Sequence, residues 1–598
     1  MARFERLDRY LSVRMAYDAH VTRDGRIVYI SNLLGVPTPW VWDGSATGPE
    51  PLLLDDVRTS RLDVSPTGPW VVLTQDEGGT ERHQLVAVHL GSRHRRPLTQ
   101  DPDFIHLFGA FFPDGERFVV TANRRNGRDF DVYLGHLDGR ALERIPIDGG
   151  FPSGVWTAPG VFPDGSVLLV EMVSPSHHRL YRLDLHGAGG HLTRLTPDEP
   201  AMYAAVKIQG SSVLAASDLR HEFARLVAIR EPEQVEVLAE AGGDVEALAV
   251  GPANGVAYVV NRDGWSELHV REGNPVRDRV VETPPGVISS MRFSPDGRWL
   301  VFDVSGPDHP MDVYRMDMRD LPSVAAVTRS YRAGLGAGDL VTPDRVSIES
   351  FDGLQVPAWC YRPRGDGPFP ALVVVHGGPE AQARPIFSAL YQYWVSLGIV
   401  VVAPNVRGST GYGKTYGHLD DVGRRGDAIA DLAAVARWTR SQPDVDADRV
   451  VVYGGSYGGY MVMAGLTWFP ELFRAGVELV GIVNLETFLE KTSPWRRGLR
   501  EAEYGSLERD RDVLRALSPI HRIDRLRAPL FVGHGRNDPR VPYAEAEQVA
   551  GALQARGIPH RLFPLDDEGH GAVRLTNQRR LYAAIQDFLS EEAGFPSE

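Results

Sequence analysis

Ser456 sits at the centre of the run Tyr453-Gly454-Gly455-Ser456-Tyr457-Gly458-Gly459-Tyr460. A serine hydroxyl is a weak nucleophile unless a base stands beside it. The pattern Gly454-x-Ser456-x-Gly458 is that of a nucleophile elbow, a sharp turn between strand and helix that lifts the hydroxyl clear of the backbone. The β-branched residues 450–452 predict the strand, and the small and apolar residues that follow to Leu466 predict the helix. The start of that helix would favour negative charge developing beside the serine.

Two further groups are needed, and on this kind of sheet they follow the serine in the order acid, then histidine. The acid is expected at Asp538, in Gly535-Arg536-Asn537-Asp538-Pro539-Arg540-Val541-Pro542, directly after an apolar strand. The base is expected at His570, in Asp567-Glu568-Gly569-His570-Gly571, where flanking glycines free the loop. His570 would take and return the proton, and Asp538 would orient it and stabilise the imidazolium. His534, Asp566 and Asp567 compete for these roles. An oxyanion hole needs backbone N–H donors. Tyr457 is expected to provide one, and the loop His376-Gly377-Gly378-Pro379 the other, with Gly378 preferred over Gly377.

These groups must be held by a parallel sheet. Residues 371–375, 398–403, 449–452, 475–480, 528–532 and 560–563 read as buried strands. Residues 427–440 read as a helix with Ile429, Leu432, Val435 and Ala436 on one face. Strands alternating with helices predict an α/β domain covered on both faces. A hairpin turning at Phe351-Asp352-Gly353 precedes them.

The first half is different and repeats. A turn recurs every 42 to 50 residues or so: Arg23-Asp24-Gly25, Ser65-Pro66-Thr67-Gly68, Phe112-Pro113-Asp114-Gly115, Phe162-Pro163-Asp164-Gly165, Ile208-Gln209-Gly210, Gly251-Pro252-Ala253-Asn254-Gly255 and Ser294-Pro295-Asp296-Gly297. Alternating strands follow each turn, as in Asp131–Leu134 and Asp312–Arg315. A repeat of this length with several short strands predicts propeller blades. Seven units are counted; the fifth and sixth are degenerate, which leaves six or eight blades open. The expected organisation is therefore an N-terminal segment 1–15, a β-propeller 16–330, a glycine-rich linker 331–345 and an α/β-hydrolase domain 346–598. In the N-terminal segment Phe4, Leu7, Tyr10 and Leu11 have helical spacing and are expected to pack on the second domain.

Composition narrows the function classes. The chain has 598 residues, too many for one core. The net charge of −14 argues against a nucleic-acid partner. Lys207, Lys414 and Lys491 are the only lysines, so nearly every cation can grip a carboxylate with a fork of N–H groups. Cys360 is the only cysteine, which rules out an internal disulfide and a cysteine metal site. No cofactor, metal or membrane partner is expected, and the charged N-terminal residues read as cytoplasmic rather than as a leader.

With Asn405-Val-Arg-Gly-Ser-Thr-Gly-Tyr-Gly413, the elbow, the His376-Gly377-Gly378-Pro379 loop and the loops of Asp538 and His570, the chain resembles the prolyl oligopeptidase family of serine peptidases. It looks most like the acylaminoacyl-peptidase branch. The resemblance spans both halves. It implies peptide-bond hydrolysis through an acyl-enzyme on Ser456, a propeller that admits only short peptides, and a homo-oligomer. Substrate choice is less legible. Dipeptidyl peptidases of the family grip the substrate amine with paired glutamates; here His221-Glu222-Phe223 is a lone candidate. The loop Ser493-Pro494-Trp495-Arg496-Arg497 could instead bind a substrate carboxylate through Arg496 or Arg497, which would make a carboxypeptidase. Phe488, Trp495, Tyr460 and Ile482 are candidates for an apolar side-chain pocket. A carboxylesterase would use the same triad, and a non-catalytic propeller scaffold is the remaining alternative.

Overall fold

The structure, a computed structural model, describes residues 4–45, 48–185, 189–252, 255–273, 276–319 and 323–598. Part of the sixth turn, residues 253–254, lies outside the described residues. The first half forms seven four-stranded antiparallel sheets, each from four consecutive strands. The degenerate fifth and sixth units are complete blades (Tyr203–Ala239 and Val245–Val281), so the repeat count is seven. Among the described residues no strand is exchanged to close the ring. Packing closes it instead: Ala16, Ile27, Tyr29 and Trp40 of the first blade share a core with Val301 and Val313 of the last. Across the same seam Arg292 pairs with Asp18 at 2.8 Å, and the Asp18 N–H donates to Asp303 at 3.1 Å.

The second half is one eight-stranded sheet. Numbered within this domain, its strands are β1 Asp344–Glu349, β2 Gln355–Tyr361, β3 Phe369–Val375, β4 Val400–Pro404, β5 Val445–Gly455, β6 Ala475–Leu479, β7 Leu530–Gly535 and β8 His560–Leu565. Their order across the sheet is β1-β2-β4-β3-β5-β6-β7-β8. The strands from β4 to β8 run parallel, and β1 and β2 are antiparallel at one edge. The central strands are apolar throughout, because helices cover both faces. On one side Ile429, Leu432, Val435 and Ala436 of helix Arg425–Arg440 enter the core, as their spacing predicts. On the other side lies helix Leu575–Ala593.

The N-terminal helix Glu5–Leu11 buries Leu7, Tyr10 and Leu11 on this second face, not in a blade. Backbone N–H groups of Arg6 and Leu7 donate to the Glu598 carboxylate at 2.9 and 2.7 Å. The segment after the propeller is glycine-rich but not loose. Leu335 and Leu340 are buried in the same cluster, and Arg9 donates to the carbonyls of Ala333 and Gly334. Leu7→Ala should therefore destabilise the hydrolase domain by about 2–4 kcal/mol, read as a lower midpoint in urea unfolding. An unchanged midpoint would exclude this docking role.

Candidate active site

The parallel strands deliver three side chains to one edge of the sheet. Ser456 follows β5, Asp538 follows β7 and His570 follows β8. Ser456 has φ 59° and ψ −121°, a left-handed conformation that strains a non-glycine residue. The strain is tolerated because the turn is clamped on both sides. The Ser456 N–H donates to the Leu479 carbonyl at 2.9 Å, and its own carbonyl accepts from Tyr460 at 3.0 Å. A methyl group on Gly458 would overlap the Val375 carbonyl, so only glycine lets helix Tyr457–Trp468 come this close to β3.

Asp538 has a fully buried side chain. Its Oδ1 accepts the N–H groups of Arg540 and Val541 at 2.8 and 3.0 Å. Its Oδ2 lies 2.7 Å from His570 Nδ1 and 3.4 Å from His534 Nε2. Burial pushes its pKa up, but hydrogen bonds from His534 and His570 outweigh burial, and the carboxyl is held well below the usual range. With Nδ1–H given to Asp538, His570 keeps Nε2 as a lone-pair base. The competing acids are occupied elsewhere: Asp566 pairs with Arg536 at 2.7 Å, and Asp567 accepts from Asn577 at 2.8 Å.

The oxyanion elements also meet the serine. Tyr457 is the first residue of its helix, where the N–H has no partner within the helix. Gly377 lies against Ser456: a methyl group on Gly377 would be 3.4 Å from Ser456 Cβ and 4.0 Å from Oγ. The next residue, Gly378, has its carbonyl 3.4 Å from the Tyr504 hydroxyl, which anchors the loop.

The remaining expectations need correction. Residues 494–504 are a helix, Pro494–Tyr504, not a loop, and proline at its first turn suits that start. Trp495 and Leu499 lie four apart on one face and pack on the propeller, with Trp495 edge-on to Phe130 at 5.8 Å. Arg496 is half-buried and donates to Glu81 of the propeller at 2.5 Å. Arg497 is 42% exposed and pairs with Glu501 at 3.0 Å. Neither arginine stands free for a substrate carboxylate. Tyr460, Ile482 and Phe488 are core residues at 0%, 1% and 2% exposure. The Tyr460 hydroxyl is used up on the Leu517 carbonyl at 3.0 Å.

One part of the site has no sequence signal at all. The propeller turn 77–83 reaches the loops of Asp538 and His570. Glu81 accepts from Arg496 and also from Arg540 at 2.6 Å, two residues beyond Asp538. The Asn537 side chain donates to the Gly78 carbonyl at 3.0 Å. Gly79 lies on Gly569, the residue before His570, so closely that a methyl group on either would overlap the other's backbone. Within the domain, Glu568 accepts the N–H groups of Val573 and Arg574 at 3.0 and 2.9 Å and so ties down the far side of the same loop.

Residues 385–595 match the model of the prolyl oligopeptidase family. Dipeptidyl aminopeptidase BIII of Pseudoxanthomonas mexicana is 32% identical over 562 residues, covering 88% of this chain and 78% of its own. The chain belongs to the prolyl oligopeptidase family of serine peptidases. Its fold is shared with a puromycin-hydrolyzing peptidase of Mycobacterium tuberculosis (TM-score 0.83, 20% identity, 99% of this chain and 96% of that one). It is also shared with Pyrococcus horikoshii acylaminoacyl peptidase (TM-score 0.74, 17% identity, 98% and 97%). This peptidase thus carries its site at the seam of two domains. Glu81→Gln leaves two arginines facing each other there. It should lower kcat by roughly tenfold or more through loosened loops, measured by steady-state peptide hydrolysis; an unaltered kcat would refute the support role.

Proposed function

We propose that this serine peptidase cleaves short peptides through an acyl-enzyme on Ser456 and releases short fragments, dipeptides foremost, from a free amino terminus. His570 Nε2 takes the Ser456 proton as Oγ attacks the scissile carbonyl carbon. The tetrahedral oxyanion is held by the N–H groups of Tyr457 and Gly378. The imidazolium, steadied by Asp538, then protonates the leaving amine, and the C–N bond breaks. Water, activated by the same imidazole, attacks the ester and frees Ser456.

The amino-terminal reading is carried by a cavity of about 310 Å³ between the domains. Its walls include Asp218, Glu222 and Asp244 from the propeller and Glu380 and Glu503 from the hydrolase. It adjoins the oxyanion loop, since Glu380 is two residues past Gly378 and Glu503 precedes Tyr504. Met202, Ala204 and Val245 give it apolar walls as well. An ammonium group gains from such surroundings, whereas an N-acylated terminus brings no charge to them. The name of the dipeptidyl aminopeptidase relative supports the same choice. Glu222, the lone candidate read from sequence, also bonds the hydrolase: its carboxylate accepts the Thr415 N–H at 2.8 Å and hydroxyl at 2.9 Å. The acylaminoacyl and carboxylesterase readings remain as arms of the test.

Peptides of equal length with free, acetylated and amidated ends, assayed side by side with an activated ester, should show the highest kcat/KM for the free amine. Preference for the acetylated peptide would overturn this reading. Ser456→Ala should abolish turnover of all of them. Burial lifts the Asp244 pKa to about 6. Its carboxylate is charged above that pH and neutral below it, so KM for free-amine peptides should rise as pH falls through about 6, more steeply than KM for acetylated ones.

A further inference from the structure

Behind Asp538 stands a second imidazole that the reaction above does not use. His534 is the fifth residue of β7, and its side chain is fully buried. Its Nε2 lies 2.9 Å from the Val541 carbonyl oxygen and 3.4 Å from Asp538 Oδ2. Both partners are acceptors, so Nε2 carries a proton. Its Nδ1 is buried without a hydrogen-bond partner. On the neighbouring strand β6, Glu478 is fully buried, and its Oε2 is also without a partner. Its other oxygen accepts the Gly481 N–H. Burial lifts the Glu478 pKa to about 7, and the charge on His534 opposes that rise.

The groups facing His534 come from three elements. Asp538 comes from its own loop and Glu478 from β6. Helix Ala544–Gln554 brings Glu545, whose carboxylate already accepts the N–H groups of Val483 and Asn484 at 3.0 and 2.8 Å. Just before that helix, the Tyr543 ring stands edge-on at 5.7 Å. On the far side of Asp538 is His570. Burial works against a charged His534, but the carboxylates of Asp538 and Glu478 outweigh it and raise its pKa.

We propose that His534 is a positioning residue for the peptidase reaction, a buried imidazole that holds the Val541 carbonyl of the Asp538 loop, stands against Asp538 on the side away from His570 and offsets part of its charge. Two effects follow. His534 donates to the Val541 carbonyl, and the Val541 N–H in turn donates to Asp538 Oδ1, which fixes the direction in which Asp538 meets His570. A positive His534 also tempers the pull of Asp538, so the general base stays unprotonated to lower pH. A histidine that merely filled the core would fix the carboxylate without setting the pH at which the base is lost.

The test separates these roles and rests on the triad reading above. His534→Gln keeps an N–H donor and removes the charge; His534→Leu removes both. The readout is the pH dependence of Ser456 labelling by a fluorophosphonate, which does not depend on peptide specificity, with kcat and KM measured alongside. In His534→Gln the acid limb should move up by roughly half a pH unit to one unit with KM unchanged. In His534→Leu the same shift should come with a fall in kcat of roughly tenfold or more. An unmoved acid limb in both folded variants overturns the proposal. Labelling that persists in Ser456→Ala would sink the triad reading instead. If neither variant folds, proton NMR of the native enzyme decides. Two exchange-protected low-field imidazole protons should persist through neutral pH, one each from His570 and His534; a single one overturns the proposal.

Discussion

Asp538 carries a full negative charge where water does not reach it. That is costly unless its oxygens are met by donors, and here both are. Two backbone N–H groups hold one oxygen and two imidazoles approach the other. The acidic group is thereby ionised and immobile before any substrate arrives. His570 takes its tautomer and its direction from that arrangement.

Such fixity is hard to build on loops, and both partner loops are glycine-rich. The protein solves this by bracing them from two sides. Glu568 ties the His570 loop to its own domain through the Val573 and Arg574 amides. The propeller turn braces it from outside, through Gly79 against Gly569 and Glu81 against Arg540. Glu81 is part-buried between two arginines; despite burial, their charges lower its pKa, so it stays ionised. The propeller therefore braces both loops through direct contacts.

What the sequence made legible is what local physics controls. The Gly-x-Ser-x-Gly turn reads off directly because small residues are forced there by the approach of β3. The parallel strands read as apolar runs, the blades as a spaced turn, and the helix Arg425–Arg440 as a period of 3.6. Asp538 and His570 follow from strand order. Elements set by distant contacts did not read. The stretch from Ser493 reads as a carboxylate-binding loop because its arginines suggest a ligand. In the fold it is a helix whose Trp495 and Leu499 need the propeller's apolar surface, and whose Arg496 needs Glu81, 415 residues away. Tyr460, Ile482 and Phe488 looked like a pocket because apolar residues near a nucleophile suit either a pocket or a core. The acidic cavity was invisible because its carboxylates come from four separate segments.

The same long-range assembly explains why the cavity can be acidic at little cost. Several of its carboxylates already answer to the protein: Glu222 to Thr415, Asp218 to Lys414 at 3.4 Å, and Glu503 to Arg425 at 2.5 Å. Asp244 and Glu503 are pushed toward their neutral forms, to about 6 and about 8, chiefly by burial. An empty cavity with every acid ionised would repel itself. Partial neutralisation relieves that repulsion, and under the proposed function an arriving ammonium group would restore the charge by favouring the ionised forms. On that reading, binding of the amine and ionisation of the wall are one coupled step. Discrimination against a neutral terminus would then come from the wall's own proton equilibrium as well as from direct attraction.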